Sequence, residues 1–399
     1  MHYLEGLKSK VVRTIDDHEN ELIAISDWLK DNPEIGHRER LAAWLLSSYL
    51  EKKGFSVERS VAGMETAFAA SSTGMGKRPV VALLAEYDAL PEVGHGCGHN
   101  IIAASTVGAA VAVKEVLPQL EGTISVLGCP AEEDTVEGAG GKAIMVDRGA
   151  FDDVDFAMMV HPSAAVTYMK RSSSLSRVGL QVTFVSFPLS PEKSVSKAVV
   201  RMSSHIERLN RKTDSGARLK IDELTRGQDY AEMIVKVDAP HVQIATELAK
   251  QVASEANKIA EEIGLSAYRR YYMNTYADMI WNAPLSDAFR KNLVRLGEKP
   301  TDQLDRPNVG DEGNVSHIVP TICTFVRTID GSIAGHSREY AEASTLEPAH
   351  GGLLVAAKAL GMTTLDILAD KDLTRKALLE FNKVSPSRSS EISLRTALS

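Results

Sequence analysis

Apolar residues along this chain follow two rhythms, and the points where one gives way to the other mark its elements. From Glu5 to Leu29 they recur at helical spacing until Asn32-Pro33, where the proline cannot continue a helix. Ala42, Trp44, Leu45, Tyr49 and Leu50 form the stripe of a second helix, which Lys53-Gly54 ends before the strand-like Phe55-Ser56-Val57-Glu58. After Arg78-Pro79 the pattern becomes continuous. Val80-Val81-Ala82-Leu83-Leu84-Ala85 reads as a strand buried on both faces of a sheet, and the Ala-rich Asn100–Val116 as a helix packed closely on it. Thr123–Gly128 and Phe156–Val160 are two more such strands. Polar residues follow each of the three, and in open α/β sheets ligands bind at that edge.

Beyond Arg177 the rhythm alternates. Leu180–Phe184 and Ala231–Val237 read as half-buried strands, Ser194–Leu209 and His241–Ile263 as helices, and Ala267–Ile280 as strand-like. This β-α-β-α-β order predicts a small α+β domain inserted into a larger α/β one, with boundaries at residues 1–177, 178–283 and 284–399. The first domain resumes with a helix from Leu285 to Leu296, an apolar strand from Thr321 to Val326, and helical stretches over Pro348–Leu360 and Asp372–Phe381. The Ser/Arg-rich tail after Pro386 reads as frayed.

A length of 399 residues fits this two-domain reading, since it exceeds one compact core. The net charge of −8 argues against a nucleic-acid surface, which needs a basic face. Cys97, Cys129 and Cys323 are an odd number and far apart, with no N-terminal apolar signal and no apolar run read as membrane-spanning. A cytoplasmic, reducing setting with no membrane partner is the expectation.

The chemistry gathers after the first buried strand. In Asp88-Ala89-Leu90-Pro91-Glu92-Val93-Gly94-His95-Gly96-Cys97-Gly98-His99-Asn100, Cys97 and His99 stand two apart across one glycine, so a turn can aim both at one point. Thiolate and imidazole are usual donors for zinc and its neighbours. The start of the following helix is expected to favour the Cys97 thiolate. Glu132-Glu133 closes the second strand. Adjacent carboxylates diverge, so one can ligate a metal while the other holds the water it activates. Taken singly, a Glu-Glu pair is most often a solvated turn, and His161 or His336 a hydrogen-bonded structural histidine. Together, Cys97, His99, Glu133, His161 and His336 supply five donors beside a base, more than one tetrahedral ion needs. One or two divalent transition ions, manganese or zinc, are expected.

These segments, with Asn32-Pro33-Glu34-Ile35-Gly36, Pro130-Ala131-Glu132-Glu133, His161-Pro162, Gly313-Asn314-Val315-Ser316-His317 and Gly335-His336-Ser337-Arg338-Glu339, resemble over nearly the whole chain the metallopeptidase family 20 (clan MH). That family contains aminoacylases, auxin-conjugate hydrolases and aminobenzoyl-glutamate hydrolases. The resemblance implies metal ligation by Cys97, His99, Glu133, His161 and His336, with Glu132 as general base and Asp88 as a carboxylate orienting a ligand. It also implies that the inserted domain is a lid and dimerisation domain, hence a homo-oligomer, and that the substrate is a small molecule.

Two departures bear on the substrate. The family's lid carries a Gly-Lys-x-x-His-Ala segment where this chain has Phe184-Val185-Ser186-Phe187-Pro188-Leu189-Ser190-Pro191, without histidine. A Gly-Gly-x-x-x-Asn-x-x-Pro segment is replaced by Thr225-Arg226-Gly227-Gln228-Asp229-Tyr230. His205 lies on the expected helix and does not fill the gap. Arg226, Tyr230, Asn282 and Arg306 are the candidate substrate-binding residues. The expected activity is hydrolysis of a C–N bond in a small, aromatic, carboxylate-bearing substrate. The resemblance reaches a second possibility, a 5-nitroanthranilate-type aminohydrolase releasing ammonia by aromatic substitution. A non-catalytic binding or assembly protein on the same fold is the third, and the full ligand set with a spare glutamate argues against it.

Overall fold

The computed structural model describes residues 2–163, 174–186, 193–213, 216–301, 308–329 and 331–384. Its strands are β1 (Ser56–Arg59), β2 (Phe68–Thr73), β3 (Val80–Glu86), β4 (Thr123–Cys129), β5 (Phe156–Ser163), β6 (Ser174–Val185), β7 (Arg218–Arg226), β8 (Tyr230–Ala239), β9 (Ser266–Tyr271), β10 (Asn308–Val309) and β11 (Thr321–Arg327). The helices are α1 (His2–Asp17), α2 (Glu19–Asp31), α3 (Arg40–Lys52), α4 (His99–Lys114), α5 (Gly141–Asp147), α6 (Lys193–Lys212), α7 (Val242–Ile263), α8 (Ala283–Arg295), α9 (Glu312–Ser316), α10 (Arg338–Ala343), α11 (Glu347–Ala369) and α12 (Lys371–Val384).

The larger sheet has the order β1-β2-β4-β3-β5-β11, with β4, β3, β5 and β11 parallel. Along β3, Val81, Leu83 and Ala85 enter one apolar core while Ala82 and Leu84 enter another. The continuous apolar run thus reports a strand covered on both faces, and each fully buried aliphatic side chain contributes about 1.5–3 kcal/mol. The helix α4 is buried along nearly its whole length against β3, β5, α1 and α11. A Cβ on Gly108 would lie 2.6 Å from Leu22 Cδ1, so this glycine lets α2 nest against α4. The helical run from Glu5 to Leu29 is two helices, broken at His18, whose Nδ1 lies 2.8 Å from Thr14 O.

From β3 the chain passes through α4 to β4 on one side of it, and from β4 through α5 to β5 on the other. The crevice therefore opens at the carboxyl end of β3, where neighbouring connections diverge.

The second sheet runs β10-β6-β8-β7, with β9 also paired to β6. Its inner face, including Val178, Leu180, Val182 and Phe184, packs on α6 and α7 in a core of its own. This explains the alternation along β6. An additional strand, β7, stands where the sequence pattern showed none. Its exposed residues are mostly charged, and a bulge between Ile221 and Glu223 breaks its period. By length and composition α11 could cross a membrane, contrary to the sequence expectation, but 72% of its apolar window is buried in the protein.

Candidate metal centre and active site

Each proposed donor comes from the carboxyl end of a buried strand or from a loop fastened to one. Cys97 and His99 follow β3, Glu132 and Glu133 follow β4, and His161 lies near the end of β5. His336 stands on a loop whose backbone N–H donates to Gly96 O at 2.8 Å. His336 has φ +60° and Ala131 φ +54°, so both take the left-handed conformation that turns the chain sharply at the site.

The ligand atoms of Cys97, His99 and His161 lie within 4.8 Å of one another, as do those of Cys97, Glu133 and His336. Cys97 is common to both groups, so the five residues can hold two adjacent ions. Cys97 Sγ is 3.4 Å from His161 Nε2, and His161 Nδ1 donates to Pro162 O at 2.8 Å, which leaves Nε2 facing the cluster. His99 Nδ1 lies 2.9 Å from Asp88 O and 3.0 Å from Asp88 Oδ1, so its Nε2 also faces inward. The other Asp88 oxygen accepts from Glu133 N at 2.8 Å. One buried carboxylate thus orients both a ligand ring and a ligand backbone. His99 Nε2 and Glu133 Oε1 are buried without a hydrogen-bond partner, the condition expected of atoms that a cation completes.

Beside these lies a set of charges that the sequence did not single out. Glu86, the last residue of β3, has one oxygen 3.3 Å from His99 Nε2 and the other 2.5 Å from Lys142 Nζ. Lys142 Nζ also binds Asp311, whose second oxygen accepts from Lys142 N at 2.7 Å. Lys142 and Asp311 are fully buried and Glu86 nearly so. Glu132, Asp311 and Glu312 form a further group of close carboxylates. The one signal in the sequence was a charged residue ending an apolar run, at Glu86.

Burial dominates the titration of the cluster. It raises Glu132 well above the usual carboxylate range, reinforced by Glu86 and Glu133, and lifts Glu133 to about 8 against the pull of His99. Burial, with Glu133, Glu132 and Glu86, also raises the Cys97 thiol well above its ordinary value, outweighing any help from the start of α4. For His99 burial acts downward, but Asp88 and Glu86 prevail and hold it at about 10. His161 is pushed down to about 4 by burial. Bound cations would reverse the carboxylate and thiol shifts.

A cavity of about 60 Å³ lies over this cluster, lined among others by Glu132, Met159, Arg177, Tyr276, Val309 and Glu312. Arg177 is held by Asp238, at 2.6 Å from Nε and from Nη2, and by Asp134. A wider cleft of about 520 Å³ beside Arg327 and Gly352 contains none of the donors.

Of the expected substrate-binding residues, Arg226, Tyr230 and Asn282 are not among the described residues that line this cavity. Arg226 and Tyr230 flank the β7–β8 turn, and Tyr230 pairs with Val185 at the far end of β6 from Arg177. At 3.3 Å per residue, that end is about 26 Å away. Asn282 is buried as a helix cap, accepting from Leu285 N at 3.3 Å and donating to Ala377 O at 2.9 Å, away from the residues that line the cavity. Arg306 and the segment Phe187–Pro191 lie outside the described residues. Arg177 and Tyr276, with Glu86 and Glu312, are cavity groups that sequence reasoning missed.

Comparison with known proteins agrees with this geometry. The model of Peptidase family M20/M25/M40 matches residues 82–358. The chain is 28% identical to the mouse Xaa-Arg dipeptidase over 95% of its own length and 93% of that protein. It is also 28% identical to a subunit of the p-aminobenzoyl-glutamate hydrolase of Escherichia coli K12, covering 94% of this chain and 96% of the other. Among solved structures, a dinuclear metal-binding M20 peptidase from Bacillus subtilis superimposes with a TM-score of 0.66 at 20% identity, over 89% of this chain and 99% of that one.

Proposed function

Since the chain belongs to Peptidase family M20/M25/M40, whose members are metal-dependent hydrolases, we propose that it hydrolyses a C–N bond in a small, aromatic, carboxylate-bearing substrate, with Glu132 as general base. The observation that carries this reading is the pair of donor groups sharing Cys97, with Glu132 beside them and outside both. Cys97, His99, Glu133, His161 and His336 would hold one or two divalent ions, manganese or zinc. When bound, such ions supply Lewis acidity and lower the pKa of water. Glu132 takes the proton of the attacking water and delivers it to the departing nitrogen, and burial, which raises this carboxyl, favours its accepting the proton. Asp88 keeps His99 in its ligating tautomer. Arg177 is a guanidinium on the cavity wall, already paired with Asp238 and Asp134, and it shapes that wall.

A second reading, aromatic deamination of a 5-nitroanthranilate-like substrate, is favoured by one feature. Among the described residues, no histidine of the second sheet lines the cavity, and the Tyr276 phenol there is already engaged. Charge spreading into an electron-poor ring needs no oxyanion donor. Three free cysteines accord with a cytoplasmic setting, and the second domain is the surface on which we place a homo-oligomer.

Glu132→Gln tests the base. Turnover should vanish, falling by roughly a hundredfold or more, while metal content is retained. Near-normal turnover would remove Glu132 from the chemistry. Acyl-amino acids, aminobenzoyl-glutamate and substituted anthranilates, scored for released amine and ammonia, separate the two readings. Broad aminoacylase activity would defeat the aromatic assignment.

A further inference from the structure

The segment Gly313-Asn314-Val315-Ser316-His317 supplies none of the metal donors, yet it is entirely buried. Its side chains reach one place, the stretch by which the chain returns from the second sheet. Asn314 Oδ1 accepts from Ala277 N at 3.1 Å, and its Nδ2 donates to Thr275 O at 2.9 Å. Ser316 Oγ accepts from Ile280 N at 2.8 Å, and His317 Nε2 donates to Asp278 O at 2.8 Å. A Cβ on Gly313 would stand 1.9 Å from Ala277 O, so the two backbones approach as only glycine allows.

The gripped stretch is also part of the cavity. Tyr276 lies between the two residues that Asn314 holds, is fully buried, and donates its phenol hydrogen to the main-chain carbonyl of Glu132. Its backbone pairs with Arg177, N–H to O at 2.9 Å one way and 3.0 Å the other. Strand β6 and the stretch Thr275–Ile280 are therefore bonded to each other, and each carries a cavity wall group. On the other side, Asp278 accepts from Val242 N at 3.0 Å, tying the stretch to the start of α7.

We propose that Asn314, Ser316 and His317 are positioning residues, a clasp on the hinge stretch Thr275–Ile280 that sets Tyr276 against the Glu132 carbonyl and so fixes the loop carrying the base. Asn314 bonds Thr275 O and Ala277 N, one backbone group on either side of Tyr276, so moving this stretch breaks buried bonds. Glu312 on the same short helix lines the cavity, so the clasp and that wall are one body. The functional consequence rests on the assignment of Glu132 as base. The geometric claim does not, and its test needs no substrate.

Hydrogen–deuterium exchange of the full chain, with and without Mn²⁺, reads the coupling directly. Asn314→Ala should speed exchange about tenfold or more both at Thr275–Ile280 and at the remote loop of residues 131–134. Tyr276→Phe should speed the 131–134 loop alone, and the double variant should exchange there no faster than Asn314→Ala. Should Asn314→Ala not fold, Ser316→Ala provides the same comparison from the other end of the clasp. A variant that loosens Thr275–Ile280 while leaving residues 131–134 at the original rate would overturn the proposal. So would a 131–134 loop indifferent to Tyr276→Phe, or additive effects in the double variant. Loss of turnover in Glu132→Gln with an uncoupled clasp would leave the proposed function standing and this inference refuted.

Discussion

Replacing Lys142 by methionine removes one charge from a place where nothing else can supply it. The ammonium lies 2.5 Å from Glu86 and bonds Asp311, with all three side chains buried. Methionine has a similar volume, so little of the effect arises from a cavity. What remains is a pair of carboxylates facing each other in low dielectric. Breaking one buried pair costs about 3–5 kcal/mol, and two pairs break here. Each acid keeps one partner, Glu86 the His99 ring at 3.3 Å and Asp311 the Lys142 N–H at 2.7 Å, so the lower end of that range is expected. Urea unfolding of the metal-free protein, followed by circular dichroism and by tryptophan fluorescence to check coincidence, should show about 3 kcal/mol lost. With a slope near 3 kcal/mol/M, the midpoint would fall by about 1 M. The sign with pH is fixed. Without Lys142 both acids bind protons more tightly folded than unfolded, so the deficit grows as pH rises from about 4 through their elevated values. The variant should therefore be closer to the parent at pH 5 than at pH 8. Adding Glu86→Gln and Asp311→Asn should restore most of the loss, because the charges go together. A single variant within about 0.5 kcal/mol of the parent, or a triple variant as weak as the single, would refute this account of the cluster.

Two further outcomes follow from the donors. In the metal-free protein at pH 7, Cys97, His99 and Glu133 hold protons while His161, at about 4, does not, so loading these sites should release about three protons and weaken binding about a thousandfold per unit of falling pH near neutrality. Titration calorimetry in buffers of different ionisation enthalpy counts them, and fewer than one would contradict the arrangement. Cys97→Ala should impair both ions and His161→Ala mainly one, since only Cys97 belongs to both groups. Elemental analysis after dialysis distinguishes them, and full stoichiometry in both would exclude these ligands.

The parts of the fold legible in the sequence were those whose burial leaves a period. The run Val80–Ala85 advertised a two-faced strand because its alternate residues enter different cores. Strand β7 left no such trace, as its outward face is charged and its inward apolar positions are interrupted by a bulge. The donors at the site were legible for a related reason. Singly each of these residues has a structural reading, and it is the coincidence of Glu132, Glu133 and His161 at strand ends with Cys97 and His99 in the loop after a strand that points to a candidate site. Arg226 and Tyr230 lie close in sequence to the departing lid segment, but strand length sets Tyr230 at the end of β6 far from Arg177.

What stayed hidden was charge brought together from a distance. Arg177 meets Asp134 across 43 residues and Asp238 across 61, and Lys142 meets Asp311 across 169. A lysine at the start of a short helix is ordinarily solvated, so its residue type carries no hint of burial. Its meaning appears only against its neighbours. Asp88, Glu86, Glu132, Glu133, Asp311 and Glu312 are crowded into one buried region, and burial lifts Asp311 to about 6 and Glu312 to about 7 even with Lys142 pulling them down. Two ions on the Cys97-centred groups would neutralise the side of the cluster around Glu133. The side formed by Glu86, Asp311 and Glu312 lies next to those donors, Glu86 reaching to 3.3 Å from His99 Nε2, and there the positive charge is built into the chain. A lysine cannot be lost to a chelator, so this half of the site should keep its shape when the metal is removed, and the metal-free protein should remain folded around an ordered Lys142.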